Sequence, residues 1–424
     1  MKKIVGIIAA LALASAVFAD PDVAPVIASF DGNASLEWIA DLDAETTGMK
    51  NSEAANFKVK FISEGTKETS GDGLWGELKI KAGSTEVESK LGDAAASSGV
   101  AVAIPSVETA VIHFVDDDFY AKMNIKVPGL SVGGGDIITA TSSKKGYPSK
   151  SVTLNGKQGF TLSFGIPAVD FNLQFADNGQ QKSDAKKFAF VFDATVKAIE
   201  NLSIYAGVGY STEEIAGKAQ DAAIAAKVTY TLSDIGDGMY LKPGVGFAMQ
   251  GDAKDLGVGI LFGWGTEEQE PNFAGFSNGV TNVPNKCADG VSIYLNSTLA
   301  DNAPMGFLFS AYDSKFLADF GIKIGAQLAV ADLANFGKVA GDAFDFALSY
   351  GSGDTFGDWK VAANLGAKFR LDTSKFGMLY GASVTNSAII QNTDLYVKYS
   401  GEHAAEISGA DKKGAVTLGA KIHF

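Results

Sequence analysis

Gly414-Ala415-Val416-Thr417-Leu418-Gly419-Ala420-Lys421-Ile422-His423-Phe424 ends the chain. Val416, Leu418, Ala420, Ile422 and Phe424 alternate with Ala415, Thr417, Gly419, Lys421 and His423. A period of two gives an extended strand one apolar face and one small or polar face. Soluble strands alternate as well, so this stretch alone decides a strand and not yet the solvent around it.

The same pattern recurs upstream. Phe160, Leu162 and Phe164 share a face, then Gly165 and Pro167 mark a turn, and Val169, Phe171, Leu173 and Phe175 follow. Phe188 to Val196, Leu202 to Tyr210, Ala226 to Leu232, Leu241 to Met249, Val258 to Trp264, Val291 to Leu299, Phe320 to Val330, Phe344 to Tyr350, Trp359 to Leu371, Phe376 to Val384 and Leu395 to Tyr399 repeat it. Weaker versions lie at Leu36–Leu42, Phe57–Phe61, Leu78–Ile80 and Phe119–Val127. The 49 glycines and 10 prolines are too many glycines for a helical protein and too few prolines for a disordered one, and they suit many strands joined by turns. The expectation is an all-β chain of about 16–20 strands.

The surroundings of these strands select the solvent. Lys2 and Lys3 precede an apolar stretch, Ile4 to Val17, and Val17-Phe18-Ala19 matches an A-x-A-like cleavage site. We therefore expect a signal peptide over residues 1–19, cut after Ala19, with Asp20 in place of a lipoprotein cysteine. Beyond Ala19 no apolar run approaches the ~20 residues of a membrane helix. A mature chain in a membrane must then be a closed barrel, the other fold that satisfies its backbone in lipid. The final strand resembles the C-terminal insertion signal of bacterial outer-membrane β-barrels, with Leu418, Ile422 and Phe424 carrying it. The expected fold is a transmembrane antiparallel β-barrel with short periplasmic turns and longer external loops. The final strand should close it against the first, near Leu36–Leu42 if the barrel is continuous, or near residue 152 or later if the N-terminal part is separate.

A soluble sandwich or solenoid would alternate too. The presumed inner positions hold many Gly, Ala, Ser, Thr, Asn and Lys and few large apolar residues for a second core. Tyr and Trp recur towards strand ends, as at Trp38, Tyr210, Tyr230, Tyr240, Trp264, Tyr350, Trp359 and Tyr380, where interfacial girdles place them. Glu200-Asn201 and Asp234–Gly238 read as tight turns; Gly129–Gly159, Gly265–Gly290, Gln391–Asp394 and Gly401–Lys413 read as looser segments. Gly265–Gly290, with Glu267, Glu268, Glu270, Phe273 and Phe276, is the first candidate for an exposed or constricting loop.

Without Lys2 and Lys3 the chain keeps 33 basic and 49 acidic residues, a balance that excludes nucleic acid as a partner class. Taking the apolar register as lipid-facing puts fifteen basic residues on the inner wall, among them Lys122, Lys126, Lys323, Lys360, Lys368 and the single arginine, Arg370. Seven acidic residues share that wall: Glu37, Asp41, Glu77, Asp170, Asp193, Asp319 and Asp345. A charge on the lipid face costs about 2–4 kcal/mol near the midplane, which alone sends lysine inward. The excess either keeps the wall polar by pairing or gives a lumen with mild anion preference.

Catalytic chemistry is sparse. His113, His403 and His423 are the only histidines, Cys287 is alone, and no G-x-S-x-G, CxxC, HExxH or P-loop spacing occurs. Asp116-Asp117-Asp118 reads as an acidic turn, so no metal, cofactor or catalytic residue is expected.

Ala34-Ser35-Leu36-Glu37-Trp38, Asn56-Phe57-Lys58-Val59-Lys60-Phe61 and Gly73-Leu74-Trp75-Gly76-Glu77-Leu78-Lys79-Ile80-Lys81 resemble the opening of the spirochaete (treponemal) major outer sheath proteins. The resemblance covers about the first hundred mature residues. It implies an abundant outer-membrane surface protein, inserted by the barrel-insertion machinery, forming water-filled pores for small hydrophilic solutes as a homotrimer. It also implies a second role, a surface adhesin or structural sheath protein whose loops bind host or environmental ligands. In that family the N-terminal part has been regarded as separate. Here its strands alternate like the rest, so residues 20–424 are expected to form one barrel, with a 20–150 domain followed by a 151–424 barrel as the alternative.

Overall fold

The computed structural model describes residues 26–62, 73–91, 98–102, 106–125, 129–133, 148–155, 158–179, 187–236, 238–264, 289–353, 355–408 and 411–424. The N-terminal half carries β1 (Val26–Asp41), β2 (Thr46–Ile62), β3 (Gly73–Leu91), β4 (Ser98–Val102), β5 (Ser106–Asp116), β6 (Phe119–Asn124), β7 (Ser131–Val132), β8 (Lys150–Ser151), β9 (Gln158–Ile166), β10 (Val169–Asp177), β11 (Phe188–Val196) and β12 (Leu202–Ser211). The C-terminal half carries β13 (Ala223–Tyr230), β14 (Leu232–Gly236), β15 (Met239–Gln250), β16 (Ala253–Gly263), β17 (Gly290–Thr298), β18 (Met305–Asp313), β19 (Ile322–Val330), β20 (Ala343–Gly351), β21 (Trp359–Arg370), β22 (Lys375–Ile390), β23 (Thr393–His403) and β24 (Lys412–His423).

Both β4 and β5 pair with β3, both β13 and β14 pair with β15, and β7 and β8 pair only with each other. The other neighbours follow chain order, and β24 returns to β1 from Asn33↔His423 to Asp41↔Ala415. The result is a closed 20-strand antiparallel barrel. Closure matters physically because it leaves no unpaired sheet edge in lipid.

The period-two sequences set the faces. On β12, Ile204, Ala206 and Val208 are exposed on the outside, while Tyr205, Gly209 and Ser211 are buried on the inside. Outward side chains such as Leu36, Ile112, Val258, Ile293, Phe344 and Leu418 stay 41–51 % exposed. An apolar surface of this extent is the kind that hydrocarbon covers. Among the described residues no helix is long and apolar enough to cross a membrane. Across β9 to β11 the outer face is a packed aromatic sheet. Phe164–Phe171, Phe171–Phe192, Phe160–Phe175 and Phe175–Phe188 have ring centroids 5.1, 6.2, 5.9 and 6.3 Å apart, as cross-strand neighbours do.

Strand direction sorts the connections. Val26 and Phe424 lie at one end of the barrel, together with the short turns at 117–118, 167–168 and 391–392. The register carries that end through Tyr240↔Gly263 and Gly263↔Gly290, so the connection 264–289 belongs to it as well. This corrects the expectation for Gly265–Gly290: its anchors stand at the end of the tight turns and not at the end of the longer connections 125–157, 212–222 and 331–342. Residues 265–288 lie outside the described residues. Gln391–Asp394, read as loose, is a two-residue turn between Ile390 and its partner Thr393, with Asn392 at φ 56°. Tyr240, read as a girdle residue, points inward and is 8 % exposed, because the register gives the outer positions to Met239 and Leu241.

Candidate functional site

The interior is not uniformly polar. The described parts of the connection between β6 and β9 lie inside the barrel, where β7 and β8 form a small hairpin closed by a Val152 N–H to Leu130 carbonyl bond of 2.8 Å. Leu130 and Val132 alternate with Ser131 and Gly133, and Val152 and Leu154 alternate with Ser151 and Thr153. The hairpin is therefore two-faced. Its apolar face is 0–7 % exposed and packs on the inward residues Ala176, Ala189, Val191, Tyr205, Ala223, Ala225 and Ala248 of β10 to β15. Burying each of these four side chains is worth about 1.5–3 kcal/mol as an upper estimate. The wall makes room with glycine: a Cβ on Gly207 or Gly209 meets the methyl groups of Val132 and Val152. Polar ties fix the register of this docking. The Gly133 N–H donates to the Tyr205 hydroxyl at 2.9 Å, Ser211 Oγ to the Thr153 carbonyl at 2.6 Å, and the Lys150 ammonium reaches Asp255 at 2.5 Å.

Elsewhere several inward charges meet partners. Lys58 pairs with Glu77 at 3.0 Å, Lys197 with Asp170, and Lys368 stands 3.9 Å from Asp345, whose side chain is fully buried. Arg370 grips Asp372 in the following turn with two bonds of 2.7 and 3.1 Å. Trp75 stacks on His113 at 3.7 Å between centroids. At the seam, Tyr396 of β23 lies across inward Gly419 of β24, and its hydroxyl donates to Glu37 of β1. One side chain thus joins the three strands that close the barrel.

The remaining sector is open. A cavity of about 920 Å³ runs along β19 to β24 and β1, from Ser314 and Gly321 at the Phe424 end to Asp43 at the other. Its inward lining includes Lys323, Ser349, Asn364, Ser383, Lys398 and Thr417.

Of the cations singled out from sequence, Lys122, Lys323, Lys360, Lys368 and Arg370 occupy inward register positions, beside Ser163, Ser349, Thr385, Asp345 and Ala343. Lys126 lies outside the described residues. Leu418, Ile422 and Phe424 occupy outward positions, with Phe424 over Gly32. The acidic tally needs correction. Asp319 sits in a 3-10 turn, Ala318–Phe320, and not on a strand, whereas Asp31, Asp255, Asp394 and Glu402 are inward carboxylates that the tally missed. Asp255, Asp394 and Glu402 sit near strand ends, where alternation is hardest to phase, and Asp31 lies upstream of the first strand segment read from sequence. The second missed feature is the inward apolar set, which also includes Tyr240, Leu261, Tyr294, Leu308 and Ala329.

The loop carboxylate Asp43 binds the two seam strands together outside the membrane. It accepts the Lys413 and Gly414 amides at 2.7 and 2.9 Å, and these bonds, Gly414's foremost, hold its pKa below the ordinary 3.8. A depressed carboxylate contributes above its unfolded pKa, and the contribution is lost as pH falls through the folded one. An NMR titration of the Gly414 amide in detergent should therefore show a midpoint below 3.8 that vanishes in Asp43→Asn. A midpoint at or above 3.8 contradicts the contact.

No family model matches the chain. Its relatives include the major surface protein MspTL of Treponema lecithinolyticum, 43 % identical over 91 residues, and the major outer membrane protein MspA of Treponema maltophilum, 33 % identical over 130 residues. The chain has homologues among the treponemal major surface and outer-membrane proteins. The matched segments cover 21 % and 27 % of this chain and only 15 % and 22 % of those relatives, so the chain spans less than a quarter of their length. Similar solved structures include OccK5 (OpdH) and OprD of Pseudomonas aeruginosa, 10 % and 9 % identical, with TM-scores of 0.37 and 0.35. They cover 94 % of this chain, and 98 % and 95 % of those chains. At such scores the likeness carries no solute and no mechanism.

Proposed function

We propose that the protein is an outer-membrane porin, a passive channel for small hydrophilic solutes and not a catalyst. The observation that carries this reading is the cavity inside a closed barrel whose lining, a mix of apolar, neutral polar and charged residues, includes residues from both ends. A water-filled path of that kind lets solutes cross at a rate set by size and wall charge. Of the cations singled out from sequence, Lys323 lines this cavity, and in this reading Lys122, Lys126, Lys360, Lys368 and Arg370 give the rest of the inner wall its positive charge. The mild anion preference is tempered by the ion pairs of Lys368 and Arg370 and by the four additional inward carboxylates. The docked hairpin of β7 and β8 is its constriction. The β1–β24 pairing supports one barrel over residues 20–424 following a signal peptide, with Leu418, Ile422 and Phe424 presented to the insertion machinery. The homotrimer rests on the family resemblance alone. The adhesin role loses support from Gly129–Gly159, because its described parts lie against the inner wall.

Liposome swelling tests the reading. Vesicles holding the purified protein should take up small neutral sugars at rates that fall with solute size. Uptake no faster than in protein-free vesicles rejects it.

A further inference from the structure

The inner wall divides into sectors of unlike chemistry. Where the hairpin packs against β10 to β15 it is dry, with Val191, Ala189, Ala223 and Ala248 fully buried. Elsewhere on the wall Lys58 of β2 is matched by Glu77 of β3, and Lys197, just after β11, by Asp170 of β10. From β19 round to β1 the wall is open, and the three carboxylates that line the cavity, Asp41, Asp43 and Glu402, are already engaged. Asp41 accepts the Asp43 and Ala44 amides at 2.9 and 3.0 Å, Asp43 accepts those of Lys413 and Gly414, and Glu402 holds Lys412 at 2.9 Å. These acids gather at the mouth opposite Phe424. Lys323 and Lys398 face the same cavity, and among the described residues neither has a carboxylate partner; Lys398 Nζ instead lies 4.0 Å above the Tyr396 ring.

We propose that permeation is confined to this off-axis lane, and that Lys323 and Lys398 make it a weak binding path for small polyhydroxylated anions such as sugar acids. The inference rests on the channel reading. Between and around the two ammonium groups the register sets Ser349, Asn364, Ser383, Ser400 and Thr417, neutral donors and acceptors that replace water around hydroxyl groups. The lysines stand on β19 and β23, four strands apart, so an anion meets them one at a time. Single contacts of this kind bind weakly enough to release, which conduction requires. Acids held by backbone amides keep their charge but offer fewer lone pairs to a passing cation, and they are displaced to one mouth.

Planar bilayers holding the full-length protein test this with chloride as carrier and gluconate as probe. Wild type should be anion-selective, and gluconate should reduce its chloride current. The double variant Lys323→Gln/Lys398→Gln should weaken that block by about 3–10-fold, the yield of two exposed charge contacts, and shift the reversal potential towards cations. The paired-site variant Lys58→Gln should change the block by less than about twofold. Heat-dependent gel migration equal to wild type certifies that each variant has formed its barrel. A conducting wild type whose block is unchanged in the double variant, or equally weakened by Lys58→Gln, overturns the lane. A folded wild type that carries no current overturns instead the channel reading beneath it.

Discussion

Val132→Asp should widen the channel. Val132 is wholly buried between the hairpin and the inner face of β11 to β13. An aspartate there loses the apolar burial, worth about 1.5–3 kcal/mol, and must leave water as an ion or take a proton, at a further cost of several kcal/mol. The substitution is thus worth about 5 kcal/mol against docking, which shifts an equilibrium by more than a thousandfold. The barrel wall does not need the hairpin for its ladder, since β6 pairs directly with β9. The expected outcome is a folded barrel with larger and noisier single-channel openings. Lys150→Ala, which removes one partly exposed ion pair, should have a much smaller effect, within about 1 kcal/mol. Unchanged conductance in Val132→Asp means that the docked hairpin does not narrow the path.

Gly419→Val should prevent or severely weaken closure. A Cβ at Gly419 collides with the Tyr396 ring, and the ring cannot move without giving up its bond to Glu37. Overpacking costs about 1–3 kcal/mol, and losing a hydrogen bond to a charged group costs about 1.5–3 kcal/mol. Valine's better strand propensity returns at most about 1 kcal/mol, so the balance is destabilising. Heat-dependent gel migration and thermal unfolding in detergent read the result. Gly351→Ala is the control, because nothing lies within 4 Å of its Cβ position. A Gly419→Val protein as stable as wild type contradicts the clasp.

These two sites mark the boundary of what the sequence made legible. The faces of β24 were readable because Leu418, Ile422 and Phe424 must all meet lipid, and a slip of one residue would send Lys421 and His423 there instead. The pairing of β24 with the segment near Leu36–Leu42 followed from closure alone. The hairpin was not legible, because Leu130-Ser131-Val132 and Val152-Thr153-Leu154 alternate just as wall strands do. Its receiving surface is Ala and Gly on the inner face, residues that look neutral until something packs on them. The end at which 264–289 emerges depends on the direction of every preceding strand, and one hidden strand in the weak N-terminal part would reverse it. Inward lysines were readable from cost. Their partners were not, because Asp255 meets Lys150 only once the hairpin docks, and Glu402 meets Lys412 only through the irregular register between the ends of β23 and β24.

The central claim is an open aqueous path past a docked hairpin within a closed barrel. Single-channel recording of the purified full-length protein in planar bilayers tests it most directly. The structure predicts stable, ohmic openings of one main size that persist without any ligand. A barrel that is folded by its heat-dependent migration and yet passes no ions would contradict it.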